Sequence, residues 1–106
     1  MVDRLIYAKI HETPNGNILA MCDEELINEV IKEGMVIINI KDYAEFYKGE
    51  LIGEGELDSR YKQDIFSANI VGRKSVDLAV SSRIIHKEHI KIVDGIPYAH
   101  AYRVDK

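Results

Sequence analysis

The sequence predicts an α+β fold, a two-layer sandwich whose mostly antiparallel sheet carries its helices on one face. Turn dipeptides between strand-like runs stand near both ends of the chain, at Asn15-Gly16 and Asp94-Gly95. Between them lie stretches with apolar residues at helical spacing. Uninterrupted apolar runs such as Met35-Val36-Ile37-Ile38 are short, so the core must be assembled from amphipathic elements. The predicted order is β-β-α-β-(β)-α-α-β-β within a single domain, residues 1–106.

Val2–His11, rich in Ile, Leu and Tyr, reads as the first strand. Thr13-Pro14-Asn15-Gly16 is a turn, and Asn17–Cys22 returns as the second strand of a hairpin. Asp23 suits the N-cap of a helix over 24–33, with Glu24 and Glu25 in its first turn. Leu26, Ile27, Val30 and Ile31 would form its buried face, and Gly34 would end it. Met35–Ile40, a β-branched run, reads as a central strand. Lys41–Gly55 reads as a loop or ragged edge strand, with a short strand at Leu51-Ile52. In Glu56–Phe66, Leu57, Tyr61 and Ile65 recur every four residues, the stripe of a second helix. A third helix should run from near Arg73 to Ser82 and bury Val76, Ala79 and Val80. His89–Val93 and Ile96–Val104 form the closing hairpin around Asp94-Gly95.

Composition narrows the class. Of 106 residues, 46% are hydrophobic and 30% charged, a globular balance. The net charge of −4 argues against a general polyanion binder but leaves room for a local basic patch. No stretch is long and apolar enough to span a membrane, and Met1-Val2-Asp3-Arg4 has no signal-peptide character. The lone Cys22 excludes an internal disulfide and a multi-cysteine zinc site. A cytoplasmic protein without membrane contact is the expectation.

Two groups of residues could bind something. Tyr7, Lys9 and His11 share one face of the first strand, and Tyr98, His100 and Tyr102 one face of the last. Aromatics beside cations on an open sheet face make a stacking platform for single-stranded RNA. The plain structural reading is that Tyr and His are simply good residues for half-exposed strands. The second group lies in Ser67-Ala68-Asn69-Ile70-Val71-Gly72-Arg73-Lys74-Ser75, small residues and two cations ahead of a helix. Asn69, Gly72, Arg73 and Lys74 could cradle an anion through backbone N–H groups and charge. The P-loop spacing is absent, and Asn69 and Ser75 could instead be helix caps.

Three further features read as structural. His86-x-x-His89 has metal-compatible spacing but too few converging ligands. Cys22 precedes a helix N-terminus and has His11 and His100 as distant candidate bases, yet a buried structural thiol is the default. Asp23-Glu24-Glu25 is explained by helix capping. No catalytic residue, cofactor or metal is assigned.

Lys9-Ile10-His11, Cys22-Asp23-Glu24-Glu25-Leu26, Tyr47-Lys48-Gly49-Glu50, Ser67-Ala68-Asn69-Ile70-Val71-Gly72 and Gly95-Ile96-Pro97 together resemble the archaeal family known as domain of unknown function 424. The likeness runs over almost the whole chain. It implies a two-layer α+β fold, an archaeal cytoplasmic source and an association with translation genes such as that for the beta subunit of initiation factor two, but no established activity. Where the family often reads His-Ala-Gln after Gly-Ile/Val-Pro, this chain has Tyr98-Ala99-His100. That swap disfavours a catalytic imidazole there and spares a stacking role.

Three functional readings follow. The leading one is a small non-enzymatic binding protein for RNA or a translation component, using the terminal-strand face and Asn69–Lys74. The runner-up is a small enzyme or phosphate-ligand binder using His11, Asn69 and Arg73. The third is a protein–protein adaptor working through Tyr43, Phe46 and Tyr47. A pocket joining His11 to Asn69 would favour the second, and an exposed aromatic patch the third.

Overall fold

The computed structural model describes residues 5–53, 57, 61 and 65–102. In chain order the elements are β1 (Ile6–Thr13), β2 (Gly16–Asp23), β3 (Val30–Glu33), β4 (Val36–Asn39), α1 (Ala44–Tyr47), β5 (Glu50–Ile52), β6 (Ile65–Val71), α2 (Arg73–Ser81), β7 (Ile90–Val93) and β8 (Ile96–Tyr102). Six strands form one sheet in the order β5-β1-β2-β6-β8-β7, and β3 and β4 pair separately as a hairpin. All pairings are antiparallel except β2 with β6. The α+β fold with a mostly antiparallel sheet is the one the sequence predicts. Both terminal hairpins form; the second turns through Asp94 and Gly95 at φ 50° and 76°, as a primed turn requires.

The period-2 alternation of the strands divides the sheet into two unlike faces. One carries Ile6, Ala8, Leu19, Met21, Ala68, Ile70, Ala99 and Ala101, all buried in one core with Val76, Leu78 and Ala79 of α2, which packs over β2, β6 and β8. The alanines matter here, because short side chains let α2 settle close to the sheet. The other face carries Tyr7, Lys9 and His11 from β1, Asn69 from β6 and Tyr98, His100 and Tyr102 from β8, as the register shows. Part of it is covered by a second cluster in which Cys22, Val71 and Val93 of the sheet pack with Ile31 and Ile40 of the hairpin region. The four-residue α1 also lies on this side, against β1 and β2.

Three expectations need correction. The helix over 24–33 does not form. Glu24–Leu26 is a single 3-10 turn, Asn28 takes a left-handed φ of 75°, and Val30–Glu33 is β3. Leu26, Ile27 and Ile31 do face an apolar cluster, but from irregular chain and a strand. The four apolar positions keep a helical spacing, but the run is short, and the left-handed Asn28 and the β-branched Val30 and Ile31 overrule it in favour of a strand. Gly34, at φ 61°, turns the β3–β4 hairpin and ends no helix.

Met35–Ile40 is not a central strand. Its strand part is β4 of the small hairpin, where Met35, Val36 and Ile37 are exposed and Ile40 alone of the run is buried. The central position belongs to β6, flanked by β2 and β8. Its Ser67 and Ala68 look loop-like in sequence, but a strand covered on both faces needs small residues. The expected helix over Glu56–Phe66 falls largely outside the described residues. Within it, Leu57 and Tyr61 are buried in the main core, while Ile65 and Phe66 begin β6. The third helix forms as expected, with Val76 and Ala79 buried and Val80 half-buried.

One polar joint ties β2, β6, β8 and α2 together. Asp23, 4% exposed at the end of β2, accepts hydrogen bonds from Lys74 N (3.1 Å), Ser75 N (2.8 Å) and Ser75 Oγ (2.8 Å). It therefore caps α2, 51 residues along the chain, and not the segment that follows it. Gly72, with φ 108°, makes the turn from β6 into α2, and its N–H donates to Pro97 O at 2.8 Å. A Cβ there would sit 2.6 Å from either carboxylate oxygen of Asp23. Asp23→Ala should cost about 1–3 kcal/mol by leaving buried donors unpaired. Gly72→Ala should cost a similar amount, on the order of 1–3 kcal/mol, through backbone strain and the clash. Because the clash needs the carboxylate, the two losses should sum to more than the double variant shows in urea melts. Strict additivity would separate Gly72 from the joint.

Candidate functional site

The face away from α2 holds a cavity of about 410 Å³ lined by Ile37, Ile38 and Asn39 of β4, by Tyr43, Phe46 and Tyr47 around α1, and by Asn69 of β6. Its walls are pinned. Lys9 Nζ donates to Glu45 O at 2.7 Å, and His11 Nε2 donates to Phe46 O at 2.8 Å. The His11 ring stacks on Phe46 with centroids 4.5 Å apart and planes 8° apart, and Phe46 meets Tyr47 edge-on at 5.1 Å. After α1, Gly49 runs so close to β1 that a Cβ would lie 2.6 Å from Lys9 Cβ and nearer still to Ala8 O. That approach returns the chain to the sheet as β5.

The polar groups of the cavity differ in how far they are already engaged. Asn39 donates to Asp42 Oδ2 at 2.8 Å and accepts from Asp42 N at 2.9 Å, so both ends of its amide are occupied. The Tyr47 phenol is pushed up to about 12 by burial and, next, by the nearby Cys22, and stays a neutral donor. Asn69 is half-buried, and among the described residues its side-chain amide has no hydrogen-bond partner. Ala20 and His100 flank it on neighbouring strands.

His100 is exposed, and its ring lies 4.5 Å from that of Tyr102, which is 66% exposed. Tyr102 in turn meets Phe66 edge-on at 6.2 Å. Tyr98 lies apart from these rings, packed against the second apolar cluster.

At the N-terminus of α2 two of the N–H groups expected to be free, those of Lys74 and Ser75, are already engaged by Asp23. Lys74 Nζ pairs with Glu25 Oε1 at 2.8 Å, and this hydrogen bond holds the Glu25 carboxyl below its ordinary range. Arg73 is exposed, and the neighbouring hollow of about 500 Å³ also contains Asp77. Asn69 is not a cap at all; it sits in mid-strand on the cavity floor. Of the candidate binding residues Lys9, His11 and Asn69, the cavity is lined by Asn69 alone, while Lys9 and His11 hold α1 from β1 and do not line it, so the pocket does not join His11 to Asn69. The structure places His100 beside that cavity, and Gly72, Arg73 and Lys74 elsewhere. Ile37, Ile38 and Asn39 were missed, because a central strand could not wall a cavity; only the pairing of β4 with β3 reveals them.

His86 and His89 form a local turn in which His89 Nδ1 accepts from His86 N at 3.1 Å. Among the described residues no group of three or more His, Cys, Asp or Glu is placed to hold a metal ion, and no helix is long and apolar enough to cross a membrane. The Cys22 thiol donates to Asp23 O at 3.4 Å. Burial, followed by the Asp23 and Glu25 charges, pushes it up to about 12.

The chain matches the family described as "Protein of unknown function (DUF424)" over residues 11–104, and it belongs to that family. Its fold is shared by an uncharacterised conserved protein from Methanopyrus kandleri, solved as a crystal structure, with a TM-score of 0.74 and 21% sequence identity. The likeness covers 95% of this chain and 93% of that one. Comparison with curated proteins gives no match.

A thiol that ionises only near pH 12 should resist alkylation. At pH 8 iodoacetamide should leave native Cys22 unmodified over hours and label it rapidly in urea. Labelling of the native protein at the rate of a free thiol would contradict this burial and shift.

Proposed function

We propose that this protein is a small non-enzymatic binding protein that takes single-stranded RNA, free or within a translation component, on the sheet face away from α2. The observation that carries the reading is the adjacency of mutually contacting rings, exposed at His100 and Tyr102 and half-buried at Phe66, and an open amide. His100, Tyr102 and Phe66 form a ring cluster, and Asn69 stands directly opposite His100 on the next strand. Rings stack on bases of any sequence, while an amide on their border reads hydrogen-bonding edges. Lys91, exposed on β7 opposite Tyr98, adds a cation at the far side of this face. The engagement of His11 by a carbonyl and the protonated state of Cys22 both favour binding over catalysis. A cytoplasmic setting belongs to the same reading.

A second reading, a protein–protein adaptor, has its own observation. Met35 is 99% exposed and Val30, Val36, Ile37 and Tyr43 are also exposed, forming an apolar rim on the β3–β4 hairpin and the start of α1.

Fluorescence anisotropy with a labelled single-stranded RNA should show weak binding that falls steeply with salt, since an acidic chain contributes only a local patch. His100→Ala with Tyr102→Ala should weaken it by roughly tenfold or more, the loss of about 1–3 kcal/mol per stacked base. The melting temperature should hardly move, because both residues are exposed. No binding at low salt would overturn the RNA reading and favour the adaptor.

A further inference from the structure

We propose that the cavity between β4, α1 and β6 is a receptor for one unstacked nucleobase, read through its hydrogen-bonding edge by Asn69. The inference deepens the RNA reading and rests on it only for the strand that would deliver the base; the cavity chemistry stands by itself.

The inference starts from what the surrounding residues leave undone. In β6, Ile70 is in the main core, Val71 in the second cluster, and Ser67 and Ala68 are buried. Asn69 alone combines a polar side chain, half-burial and no hydrogen-bond partner among the described residues. Among the described residues no buried side-chain nitrogen or oxygen lacks a partner, so the unpaired Asn69 amide faces the water of the cavity and is free to exchange that water for a ligand. Such a group sits at the floor of a hollow whose remaining lining is Ile37, Ile38, Tyr43, Phe46 and Tyr47, with an Asn39 already paired to Asp42. Apolar and aromatic walls around a few polar groups, here the Asn69 amide and the phenol of Tyr47, are the usual make-up of a small-ligand site.

The chemistry of the occupant follows from that lining. One amide offers one acceptor and one donor group side by side, and either orientation serves. Its complement is a planar ring with an adjacent donor and acceptor, the arrangement on the pairing edges of nucleobases. The walls are mostly apolar or aromatic, so they favour a flat, weakly hydrated ring over a sugar or a phosphate. About 410 Å³ lies at the lower end of the roughly 300–1,000 Å³ range of small-ligand pockets, in keeping with a base or nucleoside. The aromatic wall is preorganised, because His11 is stacked on Phe46 and bonded to its carbonyl while Lys9 holds Glu45. His11 and Lys9 are positioning residues here. The cavity lies on the same side of the sheet as His100 and Tyr102, so a strand crossing those rings could place one base in it.

The test is an NMR titration of the full chain with the four free nucleosides and with a short mixed-sequence RNA, on wild type, Asn69→Ala and Asn69→Asp. Thermal melts first check that both variants fold, as a side chain without a described partner permits. Shifts centred on Ile37, Phe46, Tyr47 and Asn69 with at least one nucleoside, and roughly tenfold weaker binding in Asn69→Ala, would support the receptor. Asn69→Asp supplies acceptors only, so binding should move towards guanine, whose edge presents neighbouring donors, and away from adenine and cytosine. A structural role for Asn69 would not reverse the base preference. Nucleoside binding without RNA binding would sustain the receptor and overturn the strand-binding reading. RNA binding confined to His100 and Tyr102, indifferent to both variants, would do the opposite. Absence of any shift with either probe would overturn both.

Discussion

The carboxylate of Asp23 is the joint on which this fold depends. It stands at the end of β2 and satisfies three donors at the first turn of α2. β2 and β6 are parallel neighbours, so their ends lie side by side where α2 begins. Parallel pairing requires a long connection, and the loop-closure entropy of that connection opposes it. A buried, fully hydrogen-bonded carboxylate fixes the register at the C-terminal ends of the two strands, where the crossover leaves β2 and β6 passes into α2. Gly72 is the residue that allows the approach, since any Cβ would displace the carboxylate. The same joint occupies the Lys74 and Ser75 N–H groups of the α2 N-terminus from within the chain.

The two faces of the sheet have divided their roles. One is committed to α2 through small and aliphatic side chains. The other is closed on one side by the hairpin cluster around Cys22, Ile31 and Val93. What remains open lies between α1 and β8: the cavity over Asn69 and the rings of His100 and Tyr102. The short α1 is too small to persist on its own and is held by β1 side chains and by the close passage of Gly49. Polar residues that look like ligand contacts in a list are, in space, the clamps of a wall.

Much of this was legible in the chain. The closing hairpin follows from Asp94-Gly95 and α2 from the spacing of Val76, Ala79 and Val80, while the first hairpin forms within the Thr13-Pro14-Asn15-Gly16 signal but turns through Pro14 and Asn15, with Gly16 already paired to Thr13. The shared faces of Tyr7, Lys9 and His11 and of Tyr98, His100 and Tyr102 follow from period 2 alone. What failed was non-local. The residues after Asp23 carry a helical spacing that Asn28 and two β-branched residues overrule. Asp23 looks like a cap for the nearest segment, while its partners lie about fifty residues on. A hint was present: the helix beginning at Arg73 has Gly72 before it and no capping side chain of its own, so its cap had to come from elsewhere. β6 escaped notice because central strands with small residues resemble loops. The cavity escaped because its walls come from β4, α1 and β6, which no local pattern joins.

The most direct measurement of the central joint is a phosphate titration followed through the backbone amides of Lys74 and Ser75. If Asp23 is the resident anion of α2, these amides should stay unmoved at phosphate concentrations that saturate an open helix N-terminus. They should become responsive in Asp23→Asn, where the charge is gone and the shape retained. Saturable shifts at both amides in the wild-type protein would contradict the joint, because a carboxylate bonded at 2.8 Å to Ser75 N leaves no room for a second anion.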